Sequence, residues 1–505
     1  MDFGHIFSGI KLVFQFQNLS YCLAGVFIGT LIGVLPGLGP MATIAILLPL
    51  CFKIPALSAI ILMAGIYYGA QYGGSTTSIL VNIPGESGSV ITCLDGHPMA
   101  KQGRAGPALG IAAFGSFIGA SISIIGLMFI SKPLAQFALK FGPPEYFSLM
   151  CLGLIILTYL GQGSMAKALI SAVFGLLLSL VGVDIFSGKP RLIFGIDYLI
   201  DGITLTGLMM GLFGVSEVFL KLEYAEESRK REILEGKIKN LLPTLQDWKD
   251  SWGSILRGSF TGFFMGMLPG GGVVVSSFLS YGIEKKVSKQ PEKFGTGLIQ
   301  GVAAPETANN AASTSSFITL LSLGIPTNGI MAIILAALVI HGITPGPLFL
   351  EKNPDFFWTF IMSMYLGNIT LVLLNLPLIP VWVQVLRVPS KILYPLILLF
   401  CLIGVYSVRQ STFDILIMIF FGWIGYLMRK YNYEVAPLTM AFVLGPRIEE
   451  ALRQSLLISR GSLSIFLTRP IAAIFFGIGA ILLITSLLPF LKQTKKKMEK
   501  FQDDL

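Results

Sequence analysis

A proline-glycine motif interrupts apolar sequence twice. Gly29-Thr-Leu-Ile-Gly33-Val-Leu35-Pro36-Gly37-Leu38-Gly39 and Gly262-Phe-Phe-Met-Gly266-Met-Leu268-Pro269-Gly270-Gly271-Gly272 both read G-x-x-x-G-x-L-P-G-x-G, 233 residues apart (269 − 36). Proline removes a backbone N–H and glycine loosens the chain, so each motif breaks a helix. In a bilayer such a break is tolerated only where it is buried in protein or lines a wet cavity. Breaks at matched places in two halves of a chain point to a transporter's binding site.

Composition supplies the bilayer. Of 505 residues, 54% are hydrophobic and 12% charged, against about 25% charged in a soluble domain, and the mean hydropathy is +0.77. Apolar stretches at 108–130, 146–160, 166–185, 203–220, 356–380, 392–408, 413–428 and 471–491 are candidate spans. Others are interrupted by Gly or Pro. The expectation is an all-α polytopic membrane protein of about ten to twelve spans. The net charge of +9 lies in short loops and the tail, as the positive-inside rule requires, and does not imply a nucleic-acid partner. Cys22, Cys51, Cys93, Cys151 and Cys401 fall mostly in apolar segments without a CxxC and are read as free thiols. Residues 1–20 lack a basic region followed by a cleavage site, so the first span is expected to target the chain and stay.

The repeat extends past the opening motif. Ile83-Pro84 matches Ile325-Pro326 at an offset of 242 (326 − 84), Gly106 matches Gly346 at 240, and Ser164…Gly175 matches Ser411…Gly422 at 247. The polar insertion from Glu284 to Lys293 accounts for the first drift in offset. The chain is therefore read as membrane repeat 1 (residues 1–220), a charged cytoplasmic linker (221–253), membrane repeat 2 (254–491) and a basic cytoplasmic tail (492–505). Two homologous repeats of inverted orientation, with broken or re-entrant helices, are expected; inversion would place Met1 outside. Trp248 and Trp252 read as interfacial. Arg257 and Glu284-Lys285-Lys286 flank the second motif, and the preferred shape there is a hairpin.

Each half carries a small, hydroxyl-rich segment downstream of its break. The first holds Gly73, Gly74, Ser75, Thr76, Thr77, Ser78, Asn82, Pro84 and Gly85; the second holds Pro305, Glu306, Asn309, Asn310, Ser313, Thr314, Ser315, Ser316 and Asn328. Such residues also glue membrane helices together. Four consecutive hydroxyls in each half favour a site. A broken helix offers free N–H groups and a partial positive charge to an anion, and the opposite half-helix offers carbonyls to a cation. Glu306 is the sharpest ionisable candidate, for Na⁺ or H⁺; the alternative is a helix cap at the water boundary. Glu86, Asp95 and His97 are expected in a solvated loop with Lys101 and Arg104, and His341 at a boundary. Walker, HExxH and G-x-S-x-G sequences are absent, so neither ATP hydrolysis, a metal centre nor an enzyme is expected.

These residues resemble the large membrane subunit of tripartite tricarboxylate transporters, the TctA family. The resemblance rests on GVLPGLGP at 33–40, YGGSTTSILVNIPGE at 72–86, DGHPMAKQGRAGPALG at 95–110, KIKNLLPT at 237–244, GMLPGGG at 266–272, EKKVSK at 284–289 and GVAAPETANNAA at 301–312, and covers nearly the whole chain. It implies a bacterial inner-membrane secondary transporter without a cofactor, working with a small membrane subunit and a periplasmic solute-binding protein. Organic carboxylates such as citrate would be taken up on a Na⁺ or H⁺ gradient. By the same resemblance the family's motifs fall on Pro36, Gly37, Gly39, Gly73 to Ser78, Asn82, Pro84 and Gly85, and on Pro269, Gly270, Gly271, Gly272, Pro305, Glu306, Asn309 and Asn310. Solute is expected at the breaks and hydroxyl runs, with the coupling ion at Glu306, Asn309 and Asn310. The chain departs from the family pattern at Ser313 to Ser316, usually Gly-rich, and at Thr327-Asn328, where Gly-Ile-Pro-Gly is usual; the carboxylate carried is left open. A stand-alone ion-coupled carrier or exchanger, and a non-transporting membrane scaffold, are the alternatives.

Overall fold

The computed structural model describes residues 3–35, 39–160, 164–184, 186–223, 241–385 and 390–485. It is almost entirely helical. In chain order its helices are α1 (Phe3–Val13), α2 (Phe16–Val34), α3 (Pro40–Cys51), α4 (Ala56–Val81), α5 (Cys93–Met99), α6 (Ala105–Ala138), α7 (Pro143–Leu160), α8 (Met165–Ser179), α9 (Leu205–Met209) and α10 (Ser216–Glu223). They continue as α11 (Leu245–Met267), α12 (Gly272–Val287), α13 (Gln300–Leu323), α14 (Gly329–Ile340), α15 (Phe349–Lys352), α16 (Pro354–Asn375), α17 (Ile379–Val385), α18 (Ser390–Arg409), α19 (Thr412–Lys430), α20 (Val435–Ile458), α21 (Ile465–Thr468) and α22 (Pro470–Thr485). Within the described residues, each apolar stretch named above falls largely on helix. Among the described residues five helical stretches are long and apolar enough to cross a bilayer, and five shorter apolar helices accompany them. The chain is a multi-pass helical membrane protein.

Two compact units form. One joins Met1–Ala138 to Ile203–Lys430, the other Leu139–Gly202 to Tyr431–Leu505. Each draws on both halves of the sequence. In the smaller unit a short antiparallel pair, Gly182–Val183 with Pro190–Arg191, is tied down by charge. Arg191 holds Glu449 through two hydrogen bonds (2.7 and 3.1 Å), and Arg453 reaches Asp184 (3.2 Å).

The larger unit is organised by two helix pairs with one contact register. On α2, a Cβ at Gly25, Gly29 or Gly33 would strike the backbone of Leu62, Ile66 or Ala70 on α4. On α11, a Cβ at Gly258, Gly262 or Gly266 would strike Ala304, Ala308 or Ala312 on α13. The shift between the pairs is 233 on one side (258 − 25) and 242 on the other (304 − 62) throughout. Hydrogen bonds keep the same shifts: Thr77 Oγ1 donates to Val34 O (2.8 Å) and Thr319 Oγ1 to Met267 O (2.7 Å). So do the caps, since Asn82 ends α4 and Gly324 ends α13, both left-handed, with φ of 57° and 71°. Glycine every fourth residue lines one face of a helix, and the backbones then approach closely enough for a hydroxyl on one to reach a terminal carbonyl of the other.

Both proline-glycine motifs break the helix. α11 ends at Met267 and α12 begins at Gly272. The two arms fold back on each other, because Arg257 on α11 donates to Glu284 on α12 through Nε (2.8 Å) and Nη2 (2.7 Å). This is the expected hairpin. In the first half α2 ends at Val34 and α3 begins at Pro40, and α3 lies mainly against α18, α14 and α4; Pro36 and Gly37 are outside the described residues. So are 224–240 of the linker and the basic tail from 492. Residues 245–253, expected in the linker, already belong to α11, which starts on a Thr244–Asp247 capping box. Asp247 is buried there and pairs with Arg104. Trp248 packs on Phe114 with ring centroids 5.6 Å apart, whereas Trp252 is exposed.

Gly262→Val should destabilise the fold by on the order of 1–3 kcal/mol or more, because the added atoms meet an Ala308 backbone that cannot move aside. Gly282→Ala on α12, where nothing lies within 4 Å, should be neutral or stabilising. Thermal midpoints of the detergent-purified variants, measured side by side, check the contrast.

Candidate functional site

Two helices that carry runs of hydroxyls and amides are enclosed along almost their whole length. On α4 every residue from Ser58 to Val81 is buried, and on α13 every residue from Gly301 to Ser322. Neither faces lipid, so both can carry hydroxyls and amides at helix positions that a hydrocarbon contact would forbid. A buried carboxyl still needs donors, because an unpaired one costs several kcal/mol or more.

Glu306 meets that requirement with residues from the other half. It lies inside α13, 1% exposed, and its two oxygens accept from Ser75 Oγ on α4 and from Thr92 Oγ1 just ahead of α5. The helix-cap alternative does not apply. One turn further along α13, Asn309 Nδ2 donates to Glu86 Oε1 at 3.1 Å. Glu86 is itself buried and caps the turn after the Asn82-Ile-Pro-Gly85 break, with Oε2 accepting from Gly88 N at 2.6 Å. The Gln71 amide, its nitrogen toward this cluster, lies 3.0 Å from Glu86 Oε1 and 2.7 Å from Asn309 Oδ1. Two carboxyls from different halves thus come within electrostatic reach. Among the described residues no Lys or Arg pairs with either. Carboxyl and neutral oxygens in this arrangement suit a proton or a hard cation.

The other expected site residues divide by contact. Asn310 donates to Ser116 Oγ (2.7 Å) and to Glu306 O (3.2 Å), and its Oδ1 has no partner. Ser78 bonds Ser89 Oγ (2.9 Å) and Gly74 O (3.0 Å). Ser313 bonds Asn310 O, while Ser315 and Ser316 bond Ala312 O and the facing carbonyls Gly262 O and Gly266 O. Several of these hydroxyls therefore serve helix crossings. Thr314 is buried on α13. Gly73 faces Thr30 O, Gly74 faces Glu86 and Gly85 faces Gly33 O, all without room for a Cβ, while Gly39 starts α3 in open space. Thr76 and Ser75 line a small cavity of about 10 Å³ with Tyr72 and Asn375, whose Oδ1 is unpaired. At the second break, Gly270 N donates to Thr327 O at 2.7 Å, which ties the Pro269–Gly272 motif to the turn ahead of α14, where Asn328 caps the helix.

The expected solvated loop is a buried clamp. Glu86, Asp95 and His97 are at most 8% exposed. His97 Nδ1 contacts Ile79 O (3.1 Å). Asp95 accepts from Tyr281 OH (2.9 Å) and from the backbone N–H groups of Gly295, Gly297 and Leu298 (2.8–3.0 Å), just before α13. Charged and polar residues spread from Glu86 to Arg104 read as a loop, but the donors that bury Asp95 lie some 200 residues away. Glu86 joins the Glu306 cluster although its neighbourhood reads as solvated; its match to Asn328 at the repeat offset (328 − 86) is the signal in the sequence. Asp95→Asn leaves an NH₂ facing backbone donors and should cost on the order of 2–3 kcal/mol. Faster amide exchange confined to residues 293–299 checks this.

A family model described as "Tripartite tricarboxylate transporter TctA family" matches residues 19–440. An Agrobacterium vitis protein described as "Uncharacterized 52.8 kDa protein in TAR-I ttuC' 3'region" is 47% identical over 481 residues, 95% of each chain. A second from the same organism, "Uncharacterized protein in TAR-II ttuC' 3'region", is 48% identical over 243 residues, which is 48% of this chain and all of that one. No solved structure matches. The extent of these matches, with the motifs now seated on enclosed helices and breaks, shows that the chain belongs to the tripartite tricarboxylate transporter TctA family.

Proposed function

We propose that the chain is the transport subunit of a binding-protein-dependent secondary transporter that takes up tricarboxylates or related carboxylates on an ion gradient. It would sit in the bacterial inner membrane with a small membrane subunit, and a periplasmic solute-binding protein would deliver the solute. Two homologous, inverted repeats would form it, and the shared contact register of α2–α4 and α11–α13 supports the duplication. The observation that carries the reading is the pair of buried carboxyls, Glu306 and Glu86, one from each half and neither paired with a basic side chain among the described residues.

The solute would lie between the halves. Its proposed contacts are Pro36, Gly37, Gly39, Gly73, Gly74, Ser75, Thr76, Thr77, Ser78, Asn82 and Gly85 on one side and Pro269 to Gly272, Ser313 to Ser316 and Asn328 on the other. Its carboxylates would take the free N–H groups at the breaks. Glu306, Asn309 and Asn310 would hold the coupling Na⁺ or H⁺, with Glu86 completing that site. An anionic solute near two carboxyls needs a cation between them. Filling one site then favours the other, which couples the fluxes.

Glu306→Gln keeps shape and removes the charge. Uptake of labelled citrate and related carboxylates into vesicles, with Na⁺ and H⁺ gradients imposed separately, should slow and lose its ion dependence, while solute affinity of the binding protein stays unchanged. Normal uptake with unaltered ion dependence would refute the coupling role. Uptake without the binding protein would favour a stand-alone carrier. Reporter fusions at Gly236 and after Leu505 should both be cytoplasmic, given the basic residues around them; opposite locations would defeat the topology.

A further inference from the structure

Matched positions in the two halves differ by one charge. Residues 86 and 328 are related by the shift of 242 that relates the helix contacts (328 − 86). Both cap the turn after an Ile-Pro break: Glu86 Oε2 accepts from Gly88 N at 2.6 Å, Asn328 Oδ1 from Met331 N at 3.0 Å. Both also touch the other half's central helix. Asn309 Nδ2 donates to Glu86 Oε1 at 3.1 Å, and Asn328 Nδ2 donates to Tyr67 OH at 3.2 Å. Tyr67 and Asn309 are again 242 apart (309 − 67). The first half thus seats a carboxyl of its own at its break, and the second seats a neutral amide in the corresponding place.

The second break also holds unmet hydrogen-bonding capacity. α12 starts behind Gly271 with no side-chain cap, and Gly270 N → Thr327 O (2.7 Å) holds that start beside the start of α14. Thr327 Oγ1, fully buried just ahead of α14, has no partner among the described residues. Gly270 and Gly272 have φ of 77° and 50°; the Gly270 N–H goes to Thr327 O (2.7 Å) and the Gly271 N–H to Leu268 O (3.0 Å), which leaves the N–H of Gly272 and those of the first turn of α12 as the donors at this break. Two helix starts contribute partial positive charge, and no side chain of the motif neutralises it. Pro269, Gly270 and Asn328 are only half-buried, so the spot can be reached.

We propose that Gly272 and the first turn of α12, with Thr327 and Asn328, bind one carboxylate of the transported solute, in the position where the first half uses Glu86. This rests on the carboxylate-uptake reading above and divides the labour between the breaks. The first break turns its anion inward to Glu306 and the cation. The second is left vacant of charge for the solute.

The test is Asn328→Asp in the full chain, expressed with its neighbouring genes. Asp caps a helix as well as Asn does, so the fold is kept while a carboxylate is placed where the solute's would go. Acetate, succinate and citrate serve as probes, by thermal shift of purified protein and by vesicle uptake. The variant should keep the wild-type melting temperature without ligand, lose the shift that any probe gives the wild type, and take up at least roughly tenfold less. Thr327→Val should weaken the same probe by about three- to tenfold. Unchanged affinity and uptake in Asn328→Asp, or in Thr327→Val if the first variant fails to fold, overturns the subsite while leaving carboxylate transport intact. If no probe shifts or enters with the wild type, the transport reading falls and the inference with it.

Discussion

Close backbone contact at glycine is the constraint from which the rest of the larger unit follows. Where α2 crosses α4, and α11 crosses α13, each fourth residue lacks a Cβ because the facing backbone fills that space. Lipid tails are as apolar as leucine, so helices in a bilayer gain little from hydrophobic burial and much from close packing and hydrogen bonding. The crossings provide both. They bring the last carbonyls of the broken helices, Val34 O and Met267 O, within reach of Thr77 and Thr319. A helix end has carbonyls with no partner in its own helix. The tight crossing is therefore what makes the break affordable inside the protein.

Enclosure then decides what chemistry the central helices can carry. α4 and α13 are walled off along nearly their whole length, so their hydroxyls and amides answer to one another. Glu306 is met by Ser75 and Thr92, Glu86 by Asn309 and Gly88 N, and Asp95 by Tyr281 and the loop ahead of α13. In a low dielectric each of these groups would be costly alone and is strongly held once paired. One stretch of the first half, from Ser75 to Asp95, thereby grips α13 of the second at its start and along its length. A cation at the carboxyl pair, under the proposed reading, would tighten that grip, and a proton would do so by a different geometry.

The matched halves are alike in backbone and unlike in charge. Helix register, caps and cross-contacts repeat at fixed offsets, while the side chains at corresponding places diverge: Glu86 against Asn328, Tyr67 against Asn309, Ala64 against Glu306. Ala64 is fully buried, so the position matching Glu306 is filled by a methyl group, and the acidic site exists once. Under the proposed reading, a single cation site beside a neutral break is what an anion carrier with one coupling centre needs.

Sequence by itself determined the membrane class, the helical fold, the two breaks and the offsets that pair the halves. Each is a local matter of hydropathy, of proline and glycine, or of repetition along the chain. It singled out Glu306 because a carboxyl inside a membrane segment is costly, and Asn309 and Asn310 through the motif that resembles the family's. It also found the hairpin, since Arg257 and Glu284 mark both ends of one short segment. Tertiary structure decided the rest. Glu86, Asp95 and His97 look solvated in a polar run, and only the folded chain shows that Asn309, Tyr281 and the 295–298 backbone close over them. Likewise the hydroxyl runs look alike in sequence, yet Ser75 holds a carboxyl while Ser316 spans a helix crossing. Partners hundreds of residues apart set those roles, and no local pattern encodes which donor will arrive.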